Sequence, residues 1–192
     1  MKKLFEGPVA VEYGQVYVES DFGSQGMGNM MAAFAGQLNG LCGAAVPSGM
    51  FLMTGRHTGT VHFTVELHEV APAVLQGWQD VVEVSFLPGP DPVALIEWGG
   101  QRSVDLPMPR VSYRVRYAAR GMDRAQETEY EEELKELVDR YLLQFWPEQP
   151  REEAIIQTSS ECAGYWHPTH RKPNPGDPGW PPESFESPPM AG

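Results

Sequence analysis

The sequence predicts an all-β fold, an antiparallel β-sandwich of about eight strands with one or two short helices and an extended Pro-rich C-terminal tail. Three observations predict it. Apolar residues alternate singly with polar ones, clusters of Gly and Pro interrupt that alternation at strand-like intervals, and helical periodicity is confined to two short segments over the first 139 residues. The domain division that follows is a β-sandwich body over residues 1–166 and a tail over 167–192.

Taken in chain order, residues 9–19 read as a first strand, rich in Val and Tyr. A glycine-rich loop, Gly23-Ser24-Gln25-Gly26-Met27-Gly28, precedes a short helix over 29–38, which lacks β-branched residues. That loop resembles a phosphate-cradling turn, but its glycine order is the reverse of the dinucleotide fingerprint, and no P-loop Lys follows. Strands follow at 50–54 and 60–68. In the latter, Val61, Phe63, Val65 and Leu67 alternate with His62, Thr64, Glu66 and His68, so one face is apolar and the other wet.

The same alternation recurs at 82–86 and 113–120, where Tyr113, Val115, Tyr117 and Ala119 oppose a solvent face bearing Arg114, Arg116 and Arg120. Strands at 93–98, 103–106 and 140–146 complete the set. Turn chemistry separates them: Gly55-Arg56-His57-Thr58-Gly59, Pro88-Gly89-Pro90-Asp91-Pro92, Gly99-Gly100 and Pro107-Met108-Pro109. A second helix is expected over 128–139, with Thr128 and Glu131 forming an S/T-x-x-E capping box. Eight of the last 25 residues are Pro, which denies that stretch a regular backbone ladder.

Charge decides which partners are excluded. Fourteen basic against 26 acidic residues give a net charge of -12. Phosphate would be repelled, so direct binding to nucleic acid or an anionic membrane is disfavoured and a basic partner favoured. No apolar run approaches the roughly 20 residues needed to span a bilayer. Two cysteines, Cys42 and Cys162, make no disulfide framework, so a cytoplasmic home is expected.

Seven acids and one Lys fall within residues 127–139, a sum of -6 and half of the total. Carboxylates one turn apart could imitate a run of phosphates, and Glu129, Glu132, Glu133 and Glu136 are the candidate partner-binding residues. The alternative is a solvated face stabilised by Glu131 to Lys135 and Glu136 to Arg140.

Chemistry-bearing constellations are fewer. Cys162, His167 and His170 are zinc-type ligands within nine residues, although C-x4-H-x2-H lacks the second cluster that would close a tetrahedral shell. Cys42 with His57 could pair nucleophile and base, but Cys42 lies in the apolar run Leu41-Cys42-Gly43-Ala44-Ala45 and reads as a buried small residue. His62, Glu66 and His68 share a wet strand face, where cross-strand partners such as Glu83 or Arg114 account for them. No catalytic residue and no cofactor is assigned.

The order of these features resembles the competence-associated inhibitors of the DNA-entry nuclease, the ComJ-like family. The resemblance runs from Val9-Ala10-Val11-Glu12-Tyr13-Gly14-Gln15-Val16-Tyr17-Val18 through Leu41-Cys42-Gly43-Ala44-Ala45 into a hairpin over 50–68. It continues through Val81-Val82-Glu83-Val84-Ser85-Phe86 to Asp105-Leu106-Pro107 and Tyr113-Arg114-Val115-Arg116-Tyr117, covering about residues 8–147. It implies a bacterial β-sandwich that inhibits a nuclease by direct binding, and transfers no inhibitory residue. The expected function is therefore that of a non-enzymatic acidic binding protein, an inhibitor or immunity-like partner of a basic nuclease. Two other readings stand beside it: a small enzyme or metal-binding protein using Cys162, His167 and His170, and an adaptor acting through its Pro-rich tail.

Overall fold

The computed structural model describes residues 1–22, 29–74, 76–128 and 137–169. Strands dominate and lie in two sheets. The first has six strands in the order β1 (Lys2–Val11), β5 (Gly59–Leu67), β10 (Arg140–Pro147), β9 (Tyr113–Arg120), β6 (Asp80–Phe86) and β11 (Ala154–Gln157). The second has five: β3 (Cys42–Gly43), β4 (Gly49–Met53), β2 (Gln15–Glu19), β7 (Ala94–Glu97) and β8 (Ser103–Asp105). Three helices are described, α1 (Met30–Ala33), α2 (Met122–Glu127) and α3 (Glu161–Thr169).

One core serves both sheets. Val61, Phe63 and Val65 of β5 and Val115 and Tyr117 of β9 meet Val16 and Val18 of β2 and Leu52 of β4 in a single buried cluster. The alternation read in residues 60–68 and 113–120 thus places its apolar set inward. Hydrogen bonds cross between the sheets as well, the Tyr117 hydroxyl donating to the Met53 carbonyl at 2.7 Å.

Five sequence expectations change. The six-stranded sheet is mixed, because β10 runs parallel to β5 and antiparallel to β9. That insertion stacks Tyr141 on Phe63 (5.0 Å between ring centroids) and on Tyr117 (5.7 Å), and fully buries all three rings. Residues 9–19 form two strands in different sheets, since Tyr13 (φ 57°) and Gly14 (φ 65°) both take the left-handed conformation of a two-residue turn, closed by a single bridge between Glu12 and Gln15. Residues 50–68 are no hairpin. β4 and β5 lie in different sheets, and the turn between them carries the chain across the core.

The other two concern helices. The one foreseen over 29–38 shortens to α1, capped by the Asn29 carboxamide, which accepts from Ala32 N–H at 3.2 Å; Gly36 follows at φ 79°. Thr128 is the C-cap of α2, its hydroxyl donating to the Arg124 carbonyl at 2.8 Å, and residues 129–136 of the helix expected over 128–139 lie outside the described residues. Residues 137–139 lie outside any helix and lead into β10. Strands β3 and β11 and helices α2 and α3 were not foreseen. α3 takes in His167, Pro168 and Thr169, where the extended tail was expected to begin.

Candidate functional site

The acidic stretch of residues 127–139 connects α2 to β10, and both ends of that connection are fixed by buried groups. At the near end, Met122 and Ala125 of α2 are buried, and α2 starts at Gly121 with φ 79°. A Cβ there would lie 2.3 Å from the Val138 carbonyl oxygen, so glycine brings the two ends together. At the far end, the Asp139 carboxylate is fully buried. It accepts from the Tyr141 hydroxyl at 2.8 Å and from the Arg56 backbone N–H at 3.3 Å, while the Tyr141 oxygen accepts from Gly55 N–H at 2.7 Å. Burial pushes the Asp139 pKa up, partly opposed by these hydrogen bonds.

Thr128 and Leu137 therefore flank residues 129–136 from two neighbouring points of the body. Glu127, the last residue of α2, is exposed. Glu129, Glu132, Glu133 and Glu136, the partner-binding candidates of the sequence, lie outside the described residues, as do Glu131 and the glycine-rich loop 23–28.

The turn that carries Arg56 also supports an aromatic surface. Gly14 N–H donates to the His57 carbonyl at 2.8 Å, and the exposed Tyr13 ring packs on His57 at 5.3 Å and on Trp98 at 5.2 Å. Trp98 forms one side of an open cleft of about 430 Å³ on the five-stranded sheet, shared with Tyr17 and Glu19. Sequence reading missed this surface because Tyr13, His57 and Trp98 come from three separate turns.

Groups considered for metal or nucleophilic chemistry are placed as structural members. Cys162 is buried in α3 and its sulfur accepts from Gln126 Nε2 at 3.4 Å; burial, with Asp123 and Asp80 nearby, pushes its thiol to about 12. His167 Nδ1 accepts from Gly40 N–H at 3.0 Å, and burial lowers its pKa. His170 lies outside the described residues. Among the described residues no group of three His, Cys, Asp or Glu side chains could hold a metal ion. Cys42 is sealed in the core with its thiol pushed above the ordinary range by burial, whereas His57 is exposed with Nδ1 against the Thr58 hydroxyl at 2.9 Å.

The strand face expected to be wet is covered. Arg114 and Arg116 are buried and converge on Glu83, with Nε to carboxylate distances of 3.2 and 3.0 Å. The segment carrying Arg151 and Glu152 accepts from Arg114 through backbone carbonyls, and Pro72 does the same for Arg116. Glu66 pairs with His68, just past the end of β5, at 2.8 Å and accepts from Gln144 across the sheet at 2.9 Å. His68 and Glu66 thus meet neither Glu83 nor Arg114, the partners expected from sequence.

The class that the fold defines is a β-rich body of two sheets around one core. Among solved structures, it is similar to that of ComJ, inhibitor of the DNA degrading activity of NucA, from Bacillus subtilis, at 11% identity and a TM-score of 0.51. The match covers 77% of this chain and 98% of that one. A second structure, of crocagin biosynthetic gene J, matches at 15% identity and a TM-score of 0.46, over 78% of this chain and all of that one. No protein-family model matches the chain, and no curated protein does. At these identities the likeness to ComJ is one of fold, and it agrees with the resemblance carried by residues 8–147. No helix among the described residues is long and apolar enough to cross a membrane.

Proposed function

We propose that this chain is a non-enzymatic, cytoplasmic binding protein that inhibits, or confers immunity to, a basic nuclease. In this reading the two sheets act as a β-sandwich body, Glu129, Glu132, Glu133 and Glu136 supply the anionic surface, and no cofactor takes part. The observation that carries it is the concentration of six Glu and one Lys over residues 127–138, in a connection whose two ends are clamped, by Gly121 against Val138 and by Asp139 against Tyr141 and Arg56. Clamped ends lower the ordering cost of presenting carboxylates to a cationic cleft. The fold shared with ComJ, itself described as an inhibitor of a nuclease's DNA degrading activity, supports the same reading.

The test is capture of DNA-degrading activity from the native cell extract on immobilised protein. Capture is expected at low salt, with loss at high salt. A variant carrying Glu132→Lys and Glu133→Lys should fold with an unchanged circular dichroism spectrum and lose both capture and inhibition. Unchanged affinity in that variant overturns the proposal.

A further inference from the structure

The open cleft beside Trp98 has the composition of a seat for a single organic cation. Gln15, Tyr17 and Glu19 project from one face of β2, two residues apart. Tyr17 pairs with Ile96 of the antiparallel neighbour β7, which puts Ile96, and Trp98 two residues beyond it, on that same face. These five side chains line the cleft.

Its rim is bare. Gly99 and Gly100 follow Trp98 at φ 64° and 71°, a conformation side chains resist, and a Cβ on either would meet nothing within 4 Å. The indole is thereby left uncovered on that side. The polar groups within the cleft are fixed: the Tyr17 hydroxyl donates to Gln15 Oε1 at 2.7 Å, and burial and the Glu19 charge raise its pKa to about 12, so it stays a neutral donor.

Glu19 is the charge in the cleft. It is half-buried, and among the described residues no Lys, Arg or His side chain pairs with it. Desolvation, reinforced by the neighbouring Asp21, raises its pKa, the signature of a carboxylate without a cation to neutralise it. An indole face, a phenol ring and a carboxylate around one open volume attract a guanidinium. It can stack on the indole face while its N–H groups reach the carboxylate.

A chain of contacts joins Trp98 to the base of the acidic connection. Contacts run from Asp139 to Arg56, along the turn to His57, and through Tyr13 to Trp98. The exposed Tyr13 ring against the partly exposed Trp98, with Glu19 across the cleft, has the composition of an interface hot spot.

We propose that the Trp98–Tyr17–Glu19 cleft receives an arginine side chain of the basic protein partner, as an anchor beside the acidic connection. The inference rests on the reading of this chain as a binder of a basic protein, and its test reads the cleft separately.

The intact protein is titrated with N-acetylarginine amide and, in parallel, with its uncharged isostere N-acetylcitrulline amide, while backbone and side-chain N–H resonances are followed. The Trp98 indole N–H is assigned by its absence from Trp98→Phe. Arginine amide is expected to shift that indole and the Gln15 carboxamide saturably, and citrulline amide to leave both in place. Glu19→Gln should weaken the arginine interaction about fivefold, with an otherwise unchanged spectrum.

Equal shifts from both probes, or arginine shifts that miss Trp98, overturn the cleft proposal whatever the acidic connection does. Loss of nuclease capture in the Glu132→Lys, Glu133→Lys variant with the Trp98 response retained upholds both proposals. Retained capture in that variant removes the role given to the acidic connection alone.

Discussion

Glu83 and Arg114 form an ion pair on the outer face of the six-stranded sheet, 3.2 Å between Oε2 and Nε, with the two side chains 5% and 0% exposed. Arg116 reaches the other carboxylate oxygen at 2.9 Å, so one buried anion holds two buried guanidinium groups. Burial lowers the pKa of Arg114, and its hydrogen bond to Glu83 opposes that. Removing Glu83 strands two charges at once.

The expected outcome of Glu83→Gln is a loss of about 3–5 kcal/mol of stability, measured as a shift of the urea unfolding midpoint. Arg151 touches the same carboxylate at 3.2 Å but is about half exposed. Arg151→Ala should therefore cost less than about 1 kcal/mol. Equal costs for the two variants would show that the buried network contributes nothing special.

A second prediction concerns the docking of α3. A Cβ on Gly40 would lie 2.1 Å from the Trp166 carbonyl oxygen, which is backbone and cannot swing aside. At the other end of α3, Asp123 accepts from the Glu161 and Cys162 N–H groups at 3.0 and 2.9 Å, and Asp80 accepts from Ser159 and Ser160 at 2.8 and 3.0 Å. Gly40→Ala should push the C-terminal half of α3 off the body while its N-terminus stays capped. Limited proteolysis should then cut near Tyr165 and Trp166 well before the β body, and a cleavage pattern identical to the wild type would sink the idea.

The strands were legible where their neighbours mattered least. Alternation over 60–68 and 113–120 fixes which face is inward whatever lies across the core, and both segments are strands with that face buried. Pairing was not legible: the parallel placement of β10 beside β5 depends on stacking among Phe63, Tyr117 and Tyr141, which come from three distant segments. β3 is two residues long and β11 four, too short for any period to show. Arg114 and Arg116 look solvated in sequence because nothing local says that residues 72 and 151–152 will cover them. The acidic stretch was visible by composition, but its clamp by Asp139 and Gly121 was not.

Both thiols should be inert in the folded protein. Cys42 and Cys162 are buried, and desolvation raises each thiol far above neutral pH, so the reactive thiolate is scarce as well as shielded. An aromatic disulfide reagent at neutral pH should modify neither within the time in which it modifies both in urea. Rapid labelling of Cys162 alone would mean that α3 opens on its own.

The pH dependence of α3 docking follows from His167. Its Nδ1 accepts from Gly40 N–H, which requires the neutral ring with its proton on Nε2. Burial lowers its pKa below 6.5, although the carboxylates of Asp80 and Glu153 pull the other way. Between that lowered value and 6.5 the unfolded chain carries a proton on this residue that the folded chain does not, so stability rises with pH across the window. The contribution is complete above 6.5 and is lost as pH falls toward the folded value. Asp139 acts with the opposite sign: its raised pKa makes stability fall as pH rises upward from 3.8. His167→Gln separates the two, because the glutamine carbonyl can still accept from Gly40 without titrating. Urea midpoints of wild type and His167→Gln should differ by a constant above pH 6.5, with the wild type losing ground below it. A difference that stays constant down through the window would show that His167 is not the group that ties α3 docking to pH.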